Sequence, residues 1–197
     1  MVLSVYASDT ASGLSIGKPE SVGMSSERLK RIDPILQHHV DNGDFSGAIS
    51  LVARHGKIVH FKSFGQRDIE ADEPMEKDTL VRIYSMTKPI VGVALMMLHE
   101  EGKFQLNDPV SKYIPEFKNL KVLEDGQEVD PIRPMRIQHL FTHTAGFTYG
   151  FFGNSEIDKR YIKAGILRKQ STIKEFIEEL AKIPLQSHPG EVYRYSV

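Results

Sequence analysis

Apolar positions repeat in two different ways along the first third of the chain. Leu29, Ile32, Ile35, Leu36 and Val40 fall on one 3.6-residue stripe, which predicts a helix with one buried face, capped by Ser25 or Ser26 and stopped before Asn42-Gly43. Residues 48–53 and 57–64 are instead rich in β-branched and apolar side chains. Arg54-His55-Gly56 between them offers the positive-φ residue that a tight turn needs, so an antiparallel hairpin is predicted. After an acidic connection at 68–78, residues 79–84 read as a short strand. In the segment 85–101, Ile90, Val91, Val93, Ala94, Leu95, Met96, Met97 and Leu98 leave almost no polar face, which predicts a central helix enclosed on all sides.

Farther on, Asp108-Pro109 reads as a cap and first helical residue, 134–143 as a short helix stopped near Gly146, and 173–183 as an amphipathic helix. The second half is therefore predicted to be mainly helical. Residues 4–23 are rich in Ser, Gly and Ala without a period, as expected of an arm that is loose or laid on another surface. The expected organisation is an arm at 1–24 and one domain at 25–197. Within that domain, 25–75 holds a helix and hairpin and 76–197 a mainly helical region.

Composition narrows the chemistry. The 197 residues include no cysteine, which removes disulfides, thiol nucleophiles and thiolate-bound zinc together. Lys plus Arg number 25 against 26 Asp plus Glu, scattered along the chain, so no footprint for nucleic acid or an acidic membrane is present. The longest mostly apolar run, 89–98, is about half of the roughly 20 residues that a membrane-spanning helix needs. The first twenty residues lack a basic start, a sustained apolar stretch and a cleavage signal, so a cytoplasmic location is expected.

Ser-x-x-Lys places a hydroxyl and an amine about one helical turn apart on one face. A serine attacks a carbonyl only when a neighbour takes its proton. A helix N-terminus can meanwhile hold the resulting oxyanion with a free backbone N–H. The pattern occurs three times, as Ser15/Lys18, Ser85/Lys88 and Ser171/Lys174. Ser15 lies in the aperiodic arm, and Ser171 precedes a capping box in which Thr172 and Glu175 satisfy a helix start. Only Ser85 joins a strand-like run to a buried-type helix, and there an ordinary N-cap is the competing reading. Pro89 disfavours regular geometry at Lys88, so the first turn is expected to be tightened.

Other groupings carry less. His139 and His143 have the spacing of two zinc ligands but no glutamate of the His-Glu-x-x-His kind between them, and no metal or other cofactor is expected. His38-His39 sit beside a helix end, Glu70, Asp72, Glu73 and Glu76 read as a solvated connection, and Glu178-Glu179 as an exposed helix face.

Four ordered segments give the chain a family resemblance. Tyr84-Ser85-Met86-Thr87-Lys88-Pro89 is followed by Gly102-Lys103 and Leu106-Asn107-Asp108-Pro109-Val110. Then come Leu140-Phe141-Thr142-His143-Thr144-Ala145-Gly146 and Pro189-Gly190 with Tyr193-Arg194-Tyr195-Ser196. Together they resemble the serine β-lactamase, penicillin-binding protein and family VIII carboxylesterase superfamily. The resemblance implies an α/β (α+β) fold, an antiparallel sheet flanked by helices with a mainly helical region. It also implies that Ser85 is a nucleophile, Lys88 its proton partner and Tyr195 the general base, with Tyr193 the competing tyrosine. Tyrosine is a weak base unless a nearby cation favours its phenolate.

Where the β-lactamase and peptidase branches carry Asn two residues after the tyrosine, this chain has Val197. That favours an esterase acting on small ester substrates over a β-lactamase or D-alanyl peptidase. A non-catalytic β-lactamase-like scaffold is the reading from another class. The stretch 147–152 is expected to line an acyl pocket through Tyr149 or simply to be core. The resemblance covers the N-terminal portion of a longer fold whose third motif strand has no counterpart before Val197, so a complementary C-terminal segment or chain is the expected partner.

Overall fold

The computed structural model describes residues 13–167 and 172–197, and the chain divides into two compact units at Arg82/Ile83. Ser171, one of the three serine candidates, and the first half of the 1–24 arm lie outside the described residues.

The first unit is built on the expected hairpin. Strand β2 (Gly47–Arg54) pairs antiparallel with β3 (Lys57–Asp68) in a register that runs from Gly47 opposite Gly65 to Arg54 opposite Lys57. His55 and Gly56 both take positive φ, 49° and 71°, the two-residue turn whose twist matches the strands. Strand β1 (Ser15–Ile16) lies parallel to β3, so this end of the arm rests on the sheet, and Ser15 is a strand residue. The acidic connection is more than a solvated loop: Glu73–Pro74 forms β4 against β3, and Arg67 Nε bonds Glu73 Oε2 at 2.9 Å.

The predicted first helix divides at Lys30-Arg31 into α1 (Ser26–Leu29), capped by Ser25 Oγ on the Arg28 N–H, and α2 (Ile32–Asp41). Leu29, Ile32, Leu36 and Val40 are half-buried, but Ile35 is exposed, so the buried stripe is narrower than predicted. At Gly65, φ 70°, a Cβ would stand 2.3 Å from Ser46 O and 2.8 Å from Val40 Cγ1, so only glycine lets α2 approach β3 this closely.

Residues 79–84 do not form the predicted strand. Thr79 Oγ1 accepts the Glu76 N–H in a turn, Leu80 is 98% exposed, and Tyr84–Met86 is a 3-10 turn. The helix α3 (Thr87–Glu100) follows, and the prediction that it is enclosed also fails. None of its side chains is buried; Ile90 is 62% and Val93 64% exposed. Among the described residues, much of its apolar surface is left uncovered.

The core of the second unit lies elsewhere. Val110, Phe117, Leu120, Val122, Ile157 and Leu185 head one buried cluster, with Leu185 1% exposed. Asp108-Pro109 starts no α-helix: Pro109 is extended, φ −65° and ψ 136°, before a 3-10 turn at Val110–Lys112. The Asp108 carboxylate instead accepts from Gln105 N, Lys112 Nζ and Tyr113 OH, and these bonds hold it at a pKa of about 2. An unpredicted hairpin, β5 (Val122–Glu124) and β6 (Gln127–Val129), turns through Asp125-Gly126 at φ 48° and 79°. Helices α4 (Ile137–Phe141), α5 (Glu156–Ala164) and α6 (Ile173–Leu180) complete the unit. Thr172 and Glu175 form the predicted capping box at the start of α6. No helix among the described residues is long and apolar enough to cross a membrane.

Candidate active site

The first two site residues are placed by the entry to α3. Tyr84, at φ 44°, holds the left-handed conformation that side-chained residues avoid, and this turns the chain sharply just before Ser85. The Met86 N–H closes the 3-10 turn on Ile83 O at 3.0 Å. Pro89 falls in the first turn of α3, where its missing N–H would have had no intrahelical partner, so it is tolerated and the turn before it is tight. Ser85 is exposed at this corner, one turn before Lys88.

Lys88 Nζ donates to Tyr149 OH at 2.8 Å and lies 3.5 Å from Ser85 Oγ. It also stands 4.8 Å from the centre of the Tyr195 ring and 5.4 Å from that of Tyr149, within cation–π range of both. The four residues named from the sequence, Ser85, Lys88, Tyr149 and Tyr195, thus come together in one cluster. Tyr193 stands off it, exposed, with its ring edge-on to His143 at 6.1 Å.

Charge is distributed unevenly within the cluster. Hydrogen bonds from Ser85 and then Lys88 favour the Tyr195 phenolate and hold its pKa below the ordinary phenol value. Burial works to pull the Lys88 pKa down, but hydrogen bonds with Tyr149 and Tyr195 outweigh it and raise the net value. The lysine is therefore the held cation, and the tyrosine is the group tuned toward losing its proton.

The 147–152 stretch splits between the two roles considered for it. Phe147 is core and Thr148 is buried, its Oγ1 donating to the buried Asp158 at 2.7 Å. Phe151 and Phe152 are exposed and gather around Tyr149, at 5.3 and 5.6 Å between ring centres. Asp158, which also accepts from Ser155 N and Oγ, anchors this stretch and was not singled out in the sequence. Its signal there was the Ser155-x-x-Asp158 capping box at the start of α5.

The two histidines with zinc-like spacing serve separate partners. His139 Nδ1 accepts the Arg136 N–H at 3.1 Å, and His143 Nδ1 accepts that of Ser196 at 3.3 Å. No group of three or more His, Asp or Glu side chains that could hold a metal ion occurs among the described residues. Val197 packs half-buried against the core cluster.

The Beta-lactamase family matches residues 32–197. Esterase EstB of Burkholderia gladioli is 37% identical over 169 residues, 85% of this chain and 42% of that protein. Among solved structures, EstCE1, a hydrolase with promiscuous acyltransferase activity, superposes with a TM-score of 0.71 at 34% identity, covering 85% of this chain and 43% of that one. Unliganded simvastatin synthase from Aspergillus terreus, 23% identical with a TM-score of 0.69 over 88% of this chain and 46% of its own, shares the fold. The chain thus spans less than half the length of each of these relatives.

Proposed function

The chain belongs to the beta-lactamase family, and on that premise we propose that it carries the nucleophile of a serine carboxylesterase acting on short-chain esters. The observation that carries this reading is the position of Lys88, an ammonium that bonds Tyr149, faces the Tyr195 ring and lies 3.5 Å from Ser85 Oγ. The 37% identity to an esterase supports it further.

In the proposed reaction Ser85 Oγ attacks the ester carbonyl and its proton passes to the Tyr195 phenolate, which Lys88 keeps available. A backbone N–H at the entry to α3 takes the developing oxyanion. The C–O bond to the alcohol then breaks, with the Tyr195 proton going to the leaving oxygen. Water repeats the sequence on the acyl-Ser85 ester and releases the acid. Tyr149 holds Lys88 and, with Phe151 and Phe152, offers an apolar rim to a short acyl chain. The Val197 side chain cannot hydrogen-bond an amide, so esters are preferred over cephalosporins, by about tenfold or more in kcat/KM.

A complementary segment, in the same protein or a partner chain, covers α3 in the working enzyme and supplies a second oxyanion donor. What supports this is the apolar exposure of α3 and the 42–43% coverage of EstB and EstCE1.

The test is mass spectrometry after exposure to a serine-reactive phosphonate, alongside hydrolysis of p-nitrophenyl acetate and butyrate. Label on Ser85, absent after Ser85→Ala and unchanged by Ser15→Ala, is the expected result. Label elsewhere, or wild-type turnover in Ser85→Ala, would overturn the assignment.

A further inference from the structure

The backbone on either side of Tyr195 is bound by one residue, His143. The His143 carbonyl accepts the N–H of Arg194 at 2.7 Å, and its Nδ1 accepts the N–H of Ser196 at 3.3 Å. The amides on both sides of Tyr195 are thus bound by one partner. The His143 ring also lies against the Tyr195 ring, 4.6 Å between centres and tilted by 50°. The backbone of His143 is itself unusual, at φ 54°, which aims its carbonyl and its ring toward the same segment.

We propose that His143 is the positioning residue for Tyr195: it fixes the phenol beside Lys88 by gripping the backbone on either side of it. This deepens the esterase reading and rests on it for its catalytic consequence, but the grip itself is a structural claim that stands alone. A backbone N–H can only donate, so Nδ1 must be the unprotonated nitrogen of a neutral imidazole. Burial, and then the charge of Lys88, push the His143 pKa below its ordinary value and keep the ring in that state. The other titratable side chains against the ring are the phenols of Tyr193 and Tyr195.

Two substitutions separate the grip from the ring. His143→Asn keeps an acceptor close to the place of Nδ1 and suits the left-handed backbone, since asparagine adopts φ near +55° more readily than most residues. His143→Phe keeps an aromatic ring against Tyr195 and removes the acceptor. Hydrogen exchange of the 193–197 peptide, read by mass spectrometry, reports the grip without any need for activity. Exchange about tenfold faster in His143→Phe and near wild type in His143→Asn is expected, the worth of one hydrogen bond.

The pH dependence of Ser85 phosphonylation reports the consequence. If Tyr195 swings away from Lys88, the midpoint of labelling in His143→Phe moves to higher pH, whereas simple loss of folded protein lowers the amount of label and leaves the midpoint where it was. Unchanged exchange in His143→Phe, or an unmoved labelling midpoint, overturns the inference. A wild-type chain that takes no label at Ser85 instead defeats the esterase reading, and the exchange result then still decides whether His143 grips the segment.

Discussion

Helix α3 and the Val110–Leu185 core lie in the same compact unit, and α3, more apolar along its sequence than the α5 and α6 helices that feed the core, is less buried than either. No side chain of α3 is buried, whereas Val110, Ile157 and Leu185 are sealed although they come from a 3-10 turn, a short helix and a bridging segment. A run of apolar residues records what has to be kept from water; it carries no record of what does the covering. The candidate site sits where these two regions meet. Ser85 and Lys88 enter with the uncovered helix, and His143, Tyr149 and Tyr195 come from loops attached to the core.

Four measurements sharpen or break that contrast. The largest effect belongs to Ser85→Ala, which should lower ester turnover by at least about a thousandfold while leaving unfolding unchanged, because an exposed hydroxyl on the uncovered side contributes little to packing. Next, in the 197-residue chain without the complementary segment, Leu185→Ala should destabilise the unit by about 2–5 kcal/mol in urea unfolding, against less than about 0.5 kcal/mol for Val93→Ala on α3. Equal losses would show α3 to be packed after all.

Third, Asp158 lets the core be probed by acid. Burial works to raise its pKa, but bonds from Thr148 and Ser155 outweigh it and leave the carboxyl below the ordinary value. Its stabilisation is therefore fully present above the unfolded carboxyl's pKa and is lost as pH falls through the lowered folded value. Urea midpoints measured from pH 6 downward should drop in that window for the wild type and stay flatter for Asp158→Asn. The smallest effect is expected, in the same 197-residue chain, from Ile90→Ser with Val93→Ser, which should reduce binding of a hydrophobic dye without shifting the urea midpoint.

Much of the fold was legible because it follows from local chemistry. His55-Gly56 marked the β2–β3 turn, and Thr172 with Glu175 marked the start of α6. The β5–β6 hairpin carries an equally plain turn signal in Asp125-Gly126, but strands of only three residues each leave too little alternation to mark them. The strand expected at 79–84 depended on a pairing partner that no local pattern encodes, and Thr79 turned to Glu76 instead. At Asp108 three local donors compete for the carboxylate that a helix cap would have used.

Of the candidate site, Ser85, Lys88, Tyr149 and Tyr195 could be named from motif and spacing. The grip of His143 could not, since it depends on a backbone turn and on segments 53 residues apart.

Tyr84 gives position 84 an unusual place in any mutational library. A tyrosine held at φ 44° stores strain on the order of 1–2 kcal/mol, and that strain sets the direction in which Ser85 leaves the turn. Asparagine there would relieve the strain, so a screen for heat resistance would enrich it. A screen for ester cleavage would reject the same variant if the relaxed turn lets Ser85 drift from Lys88. Opposite enrichment of one substitution under two selections would mark residue 84 as a site where durability and catalysis trade against each other.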